Sequence, residues 1–122
     1  MRVRFGWVAG LAAAAITSAS FAVAEPPSCG APGRPPCPLQ AWMRAEIARP
    51  LASRELSTLA SALERLAKMN PDPGKWRNWD AFALDGAKRA REGKAPVSAC
   101  VNCHRIYRAE YNARFRRRAV AP

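Results

Sequence analysis

Near its C-terminus the chain reads Cys100-Val101-Asn102-Cys103-His104. Two thiols three residues apart, with an imidazole directly after the second, form the C-x-x-C-H pattern of covalent haem attachment. In that chemistry each thiol adds across a haem vinyl group and the imidazole binds the iron. A helix suits the spacing. Cys100 and Cys103 are i, i+3, and Cys100 and His104 are i, i+4, so all three project from one face while Val101 and Asn102 point elsewhere. His104 is the only histidine in the chain. Two other chemistries use paired cysteines. A structural zinc site needs about four ligands, so Cys29 and Cys37 would have to join Cys100 and Cys103, and their seven-residue spacer is loose for a zinc knuckle. A thioredoxin-like redox pair sits near a βαβ pattern, and none is visible. The motif favours haem c, one per chain, with Cys100 and Cys103 as attachment points and His104 as an iron ligand.

The N-terminus reads as the export signal that this chemistry calls for. Arg2 and Arg4 make a positive n-region, Trp7 to Ile16 is a short apolar run, and Ala22-Val23-Ala24 is a small-x-small cleavage site. The run is well short of the roughly 20 apolar residues that span a bilayer, so residues 1–24 are expected to be a cleaved signal peptide. C-type haem is attached after export in bacteria, so the two signals agree on a periplasmic location. A Pro- and Cys-rich leader, 25–37, follows. Cys29 and Cys37 flank Gly30-Ala31-Pro32-Gly33-Arg34-Pro35-Pro36. In an oxidising compartment, two thiols left over after haem attachment are expected to pair as a disulfide.

The whole chain carries 20 Lys and Arg against 9 Asp and Glu, a formal charge of +11. Loss of Arg2 and Arg4 with the signal would leave 18 against 9, a charge near +9. Most of the cations are arginine and stay charged at any working pH. Nucleic acid is the usual partner for such a charge, but an exported protein does not meet it. Acidic redox partner proteins and anionic membrane surfaces remain, beside a merely solvated basic surface.

From Pro38 onward the apolar periodicity is helical. Pro38 suits a first helical turn, and Leu39, Trp42, Met43 and Ile47 make one stripe, with Pro50 ending or kinking the helix. A second segment is expected from a Ser53 cap through Leu56, Leu59, Ala60, Leu63, Leu66 and Ala67, stopped by Asn70-Pro71-Asp72-Pro73-Gly74. A third starts at Asn78 and carries Trp79, Phe82, Ala83, Gly86, Ala87 and Ala90 to a stop at Gly93. The fourth, with Ser98 as cap, bears the haem motif, Tyr107, Tyr111 and Phe115, with arginines up to Arg118 in its last turns. Four helices joined by short connections predict an all-α fold, a four-helix bundle over 38–122 with haem on the last helix.

At this point the chain resembles a known family, the class II cytochromes c of the cytochrome c′ type. The likeness covers residues 38–118 in layout. Its specific part is Cys100 to Arg108, where Cys-Val-Asn-Cys-His-Arg-Ile-Tyr-Arg is similar to the family's Cys-x-x-Cys-His-x-x-aromatic-Arg. The chain is shorter than the usual member and adds the Cys- and Pro-rich leader. In class I cytochromes c the haem motif comes early and a ligating Met follows it, whereas no Met follows His104. The resemblance implies a first helix crossing the distal haem face and, as in low-spin members, a first-helix methionine on the iron, here Met43. It also implies a role for Arg108 near the proximal imidazole or a propionate, and a homodimer as one assembly open to the chain.

The sixth iron position decides the function. Iron held by His alone binds gases, and iron held by His and Met shuttles electrons. Met43 on the first-helix stripe and Met69 at the end of the second helix are the candidates; without either, the distal site is open. Trp76 and Trp79 are candidates for a haem edge or for plain core. There is no nucleophile–base pair and no phosphate loop, so the expectation is not an enzyme. It is a periplasmic electron carrier, with a five-coordinate gas-binding (NO or CO) protein and a haem subunit of a larger redox complex as the other readings.

Overall fold

The computed structural model describes residues 28–121; the expected signal peptide lies outside them. The described chain is all-helical, with four helices and no strand. Helix α1 is continuous but has three parts: Pro38–Trp42 is α-helical, Met43–Ala48 is π-helical, and Arg49–Ala52 is α-helical again. Helix α2 is Leu56–Ala67, α3 is Trp79–Arg91 and α4 is Val97–Arg114. None is long and apolar enough to cross a membrane.

The leader is tied to the start of α1. The sulfurs of Cys29 and Cys37 lie 2.14 Å apart with Cα atoms 4.9 Å apart, as a disulfide requires. Gly30 makes the turn possible for two reasons. Its φ is +77°, and a Cβ there would lie 3.0 Å from Cys37 Sγ. The Cys37 N–H, freed by the helix start, donates to Gln40 Oε1 at 3.3 Å. Pro38 then opens the helix, where its missing N–H costs nothing.

Pro50 neither ends α1 nor breaks it. The ring has no N–H to give to the Glu46 carbonyl and would crowd it. The helix widens instead: the Arg49 N–H reaches back five residues to the Arg44 carbonyl, and the turn ahead of the proline becomes π-helical. The helix then runs on to Ala52. Ser53, expected to cap the second helix, closes the first. Its N–H donates to Arg49 O at 3.0 Å, and its hydroxyl lies within hydrogen-bonding distance of Arg49 O and Glu55 Oε1. Arg54 takes φ +59°, and Glu55 precedes α2 in the cap position.

Helices α2 and α3 form the tightest pair because the facing residues are small. Leu59, Ala60 and Ala62 are fully buried, and Ala83, Gly86, Ala87 and Ala90 face them from α3. At Gly86 a Cβ would meet Leu63 Cδ1 at 3.2 Å, Pro96 Cβ at 3.5 Å and Ala99 Cβ at 3.6 Å. Helix α2, the turn into α4 and α4 itself therefore converge on one glycine. The α2–α3 turn folds on the Asn70 amide, which donates to Trp76 O at 2.8 Å. Trp76 is buried, with its ring centroid 4.9 Å from Tyr107 and 5.8 Å from Trp79. Trp79 Nε1 donates to Leu66 O at 2.8 Å, a second bond to a carbonyl at the end of α2 that also accepts from the Met69 N–H at 3.0 Å. Helix α4 starts after Pro96, two residues earlier than a Ser98 cap implies, and ends at Arg114, so Arg116, Arg117 and Arg118 lie beyond it rather than in its last turns.

Helix α1 packs on α2, α2 on α3 and α3 on α4, but no Cα of α1 comes within 8 Å of one in α4. The row of helices is left open between its first and last members. Closing the leader loop by a disulfide is worth about 2–3 kcal/mol in the chain-entropy account. The Cys29→Ser/Cys37→Ser variant should therefore lose about that much stability in urea unfolding, and peptide mapping of the oxidised protein should recover the two cysteines cross-linked. An unchanged midpoint, or two free thiols in the exported protein, would contradict this.

Candidate functional site

The space between α1 and α4 is a cavity of about 560 Å³. Its floor is Leu63 and Leu66 of α2 with Trp79, Phe82, Ala83 and Gly86 of α3. Leu39, Met43, Ile47 and Leu51 line it from α1, and Cys100, Cys103, His104, Tyr107 and Tyr111 from α4. The three residues of the C-x-x-C-H motif thus open on one apolar cavity, as their helical spacing requires.

The rotation of α1 decides which of its side chains enters the cavity. Trp42 is turned away from it, beneath the Arg65 guanidinium of α2, which sits 5.8 Å from the ring centroid. The same guanidinium pairs with Glu46. Those two contacts place Trp42 and Glu46 on the α2 side, and Leu39, Met43 and Ile47, at four-residue steps, face the cavity. Met69 does not line it. That residue packs against the core, and its carbonyl accepts from Arg118 Nη1 at 2.9 Å. Of the two candidate methionines, only Met43 shares the cavity with His104. Trp79 lines the cavity floor and Trp76 does not; it belongs to the aromatic cluster behind it. Arg108 lies one turn beyond His104 and lines the cavity. Gln40, Arg44, Asn112 and Arg116 also line it. The apolar stripes that guided the sequence reading pass over such polar positions.

The site's electrostatics set the states of the motif. Cys100 and Cys103 are unpaired and half-buried. Burial pushes the Cys100 thiol up. Burial, then the neighbouring Cys100, push Cys103 up to about 11. Both sulfurs are therefore thiols at neutral pH, the opposite of the lowered values that mark a reactive redox pair. Partial burial of the ring, then the Arg108 charge, lower His104, although the residue as a whole is exposed; an unprotonated imidazole holds a lone pair for a metal. A four-thiol zinc site is blocked because Cys29 and Cys37 are bonded to each other. Among the described residues no group of three or more His, Cys, Asp and Glu side chains could hold a metal ion.

The raised thiol values have a kinetic consequence. At pH 8 a cysteine shifted to about 11 has about one two-hundredth of the thiolate of an ordinary one, largely offset by greater nucleophilicity of the more basic sulfur. In the chain with free thiols, Cys103 should react with iodoacetamide at pH 8 about tenfold more slowly than a free cysteine. A rate equal to or above that of free cysteine would mean an activated thiol and would contradict the burial account.

Comparison of the chain with known protein families, curated proteins and solved structures finds no match.

Proposed function

We propose that the chain is an exported c-type cytochrome of four-helix-bundle type, carrying one covalent haem and moving single electrons between partner proteins in the periplasm. One observation carries the reading: Cys100, Cys103 and His104 open from α4 onto an apolar cavity that Met43 enters from α1. A haem fits what these residues offer. The floor of Leu, Ala, Trp and Phe side chains suits an apolar plate, and the separation of α1 from α4 leaves room for one.

In this reading the Cys100 and Cys103 sulfurs would hold the group by thioether bonds, each S–H adding across one vinyl C=C. The His104 imidazole and the Met43 thioether would be its protein ligands to iron. Haem supplies a one-electron iron couple, and a His/Met pair raises its potential. The chain's own part is to keep that centre rigid. Trp79, hydrogen-bonded through Nε1 to Leu66 O, anchors the floor, and Arg65 fixes the rotation of α1. With Met43 and His104 both engaged, no position is open to a substrate, which suits electron exchange and not catalysis. The Cys29–Cys37 disulfide fits an oxidising compartment.

The charge left after loss of the signal, 18 Lys and Arg against 9 Asp and Glu, supports an acidic redox partner or an anionic membrane surface over a neutral one. Part of the C-terminal arginine run is already engaged. Arg114 pairs with Glu110 and Asp72, and Arg118 donates to Met69 O. Association with an acidic partner protein should still slow steeply as ionic strength rises. A flat salt dependence would leave the basic surface merely solvated.

The electron-carrier role stands on Met43. The purified holoprotein should show a low-spin spectrum and no CO binding, and Met43→Ala should turn it high-spin and CO-reactive. A wild-type protein that is already high-spin and binds CO would overturn this role in favour of gas binding.

A further inference from the structure

We infer that Arg44, Arg108 and Arg116 are the carboxylate-binding residues of the cavity and hold the two propionates of the haem. The inference rests on the haem reading above and deepens it, because it assigns the side chains that orient the group in its slot.

The observation is an imbalance of charge. Three arginines line the cavity, and no Asp or Glu does. The described residues make six ion pairs, which engage Arg65, Arg89, Arg91, Lys94 and Arg114 and none of these three. Arg116 Nε donates to Asn112 O at 2.9 Å, which steadies the guanidinium while its two terminal nitrogens have no partner among the described residues. A guanidinium does not lose its proton in a protein. The three charges are therefore permanent; Arg44 and Arg108 are exposed and Arg116 is half-buried, so they stand where the cavity meets water, and no carboxylate of the lining pairs with them.

Their placement is as informative as their number. Arg44 follows Met43 in the π-helical part of α1. Arg108 stands one turn after His104 on α4, and Arg116 lies just past the end of α4. Both sides of the cavity thus carry cations, while its floor is apolar. A neutral apolar ligand would make no use of the three guanidiniums at the wet edge of the cavity. A small inorganic anion would leave the floor wet. A plate with carboxylates at its edge matches both, and the planar fork of arginine suits two-point recognition of a carboxylate.

The test is resonance Raman spectroscopy of the holoprotein. Propionate-bending bands rise in frequency as the carboxylates accept stronger hydrogen bonds. Arg44→Gln, Arg108→Gln and Arg116→Gln should each move a propionate band to lower frequency, and the triple variant should move it furthest. Arg117→Gln serves as the control, since that arginine neighbours Arg116 but does not line the cavity; its bands should match the wild type. The visible spectrum of each variant shows that the haem is seated and the chain folded. Bands in all three variants that match those of Arg117→Gln, with covalent haem retained, would overturn the arginine assignment alone. A protein isolated without covalent haem would overturn the haem reading and this inference with it.

Discussion

Arg65 of α2 holds α1 at two points, over the Trp42 ring and in a pair with Glu46. Each contact is small. An exposed ion pair is worth about 0.2–1 kcal/mol and an exposed cation–π contact about 0.5–1. Their effect is geometric: they fix the rotation of a helix that touches only one neighbour. Turned by one residue, α1 would present Trp42 to the cavity and withdraw Met43. The π-helical segment from Met43 to Ala48 belongs to the same constraint, because Pro50 forces the wider turn just where α1 lines the cavity. The site thus depends on a proline, a guanidinium and a ring that do no chemistry themselves.

The four helices form an unfinished core. The α2–α3 pair is sealed by alanines and Gly86, and the aromatic cluster of Trp76, Trp79, Tyr107 and Tyr111 fixes α4 against it. Between α1 and α4 the apolar side chains meet a cavity of about 560 Å³ instead of each other. A small domain buries a low share of its surface and depends on added links. The disulfide supplies one at the leader. In the proposed reading the haem supplies the other, because a plate bonded to α4 and ligated from α1 joins the two helices that the chain leaves apart. A thioether-bonded haem would stay on the unfolded chain as well, so its stabilising part would be the packing and ligation made only in the folded state.

Much of this was legible in the residues. The i, i+3, i+4 spacing of Cys100, Cys103 and His104 put them on one face, and the structure opens that face onto a cavity. Helical periodicity gave all four segments, and the leftover cysteines gave the pair at the leader. The caps were less legible. Ser53 and Ser98 have the right side chains, but Arg54 in a left-handed conformation and Pro96 moved the boundaries. The widening ahead of Pro50 was hidden because a proline in a helix has several solutions and only packing selects one. Arg44 and Arg116 escaped because an arginine-rich sequence gives no local sign of which cations line a cavity. That choice is made by the gap between α1 and α4, a tertiary property.

The central claim is that this cavity holds a haem bonded to Cys100 and Cys103, and the most direct measurement is the intact mass of the exported protein under denaturing conditions after acid–acetone extraction. The account predicts the mass of the processed polypeptide plus one haem, with thioether-linked haem on the peptide that contains Cys100 and Cys103. A bare polypeptide mass with both thiols free would contradict it.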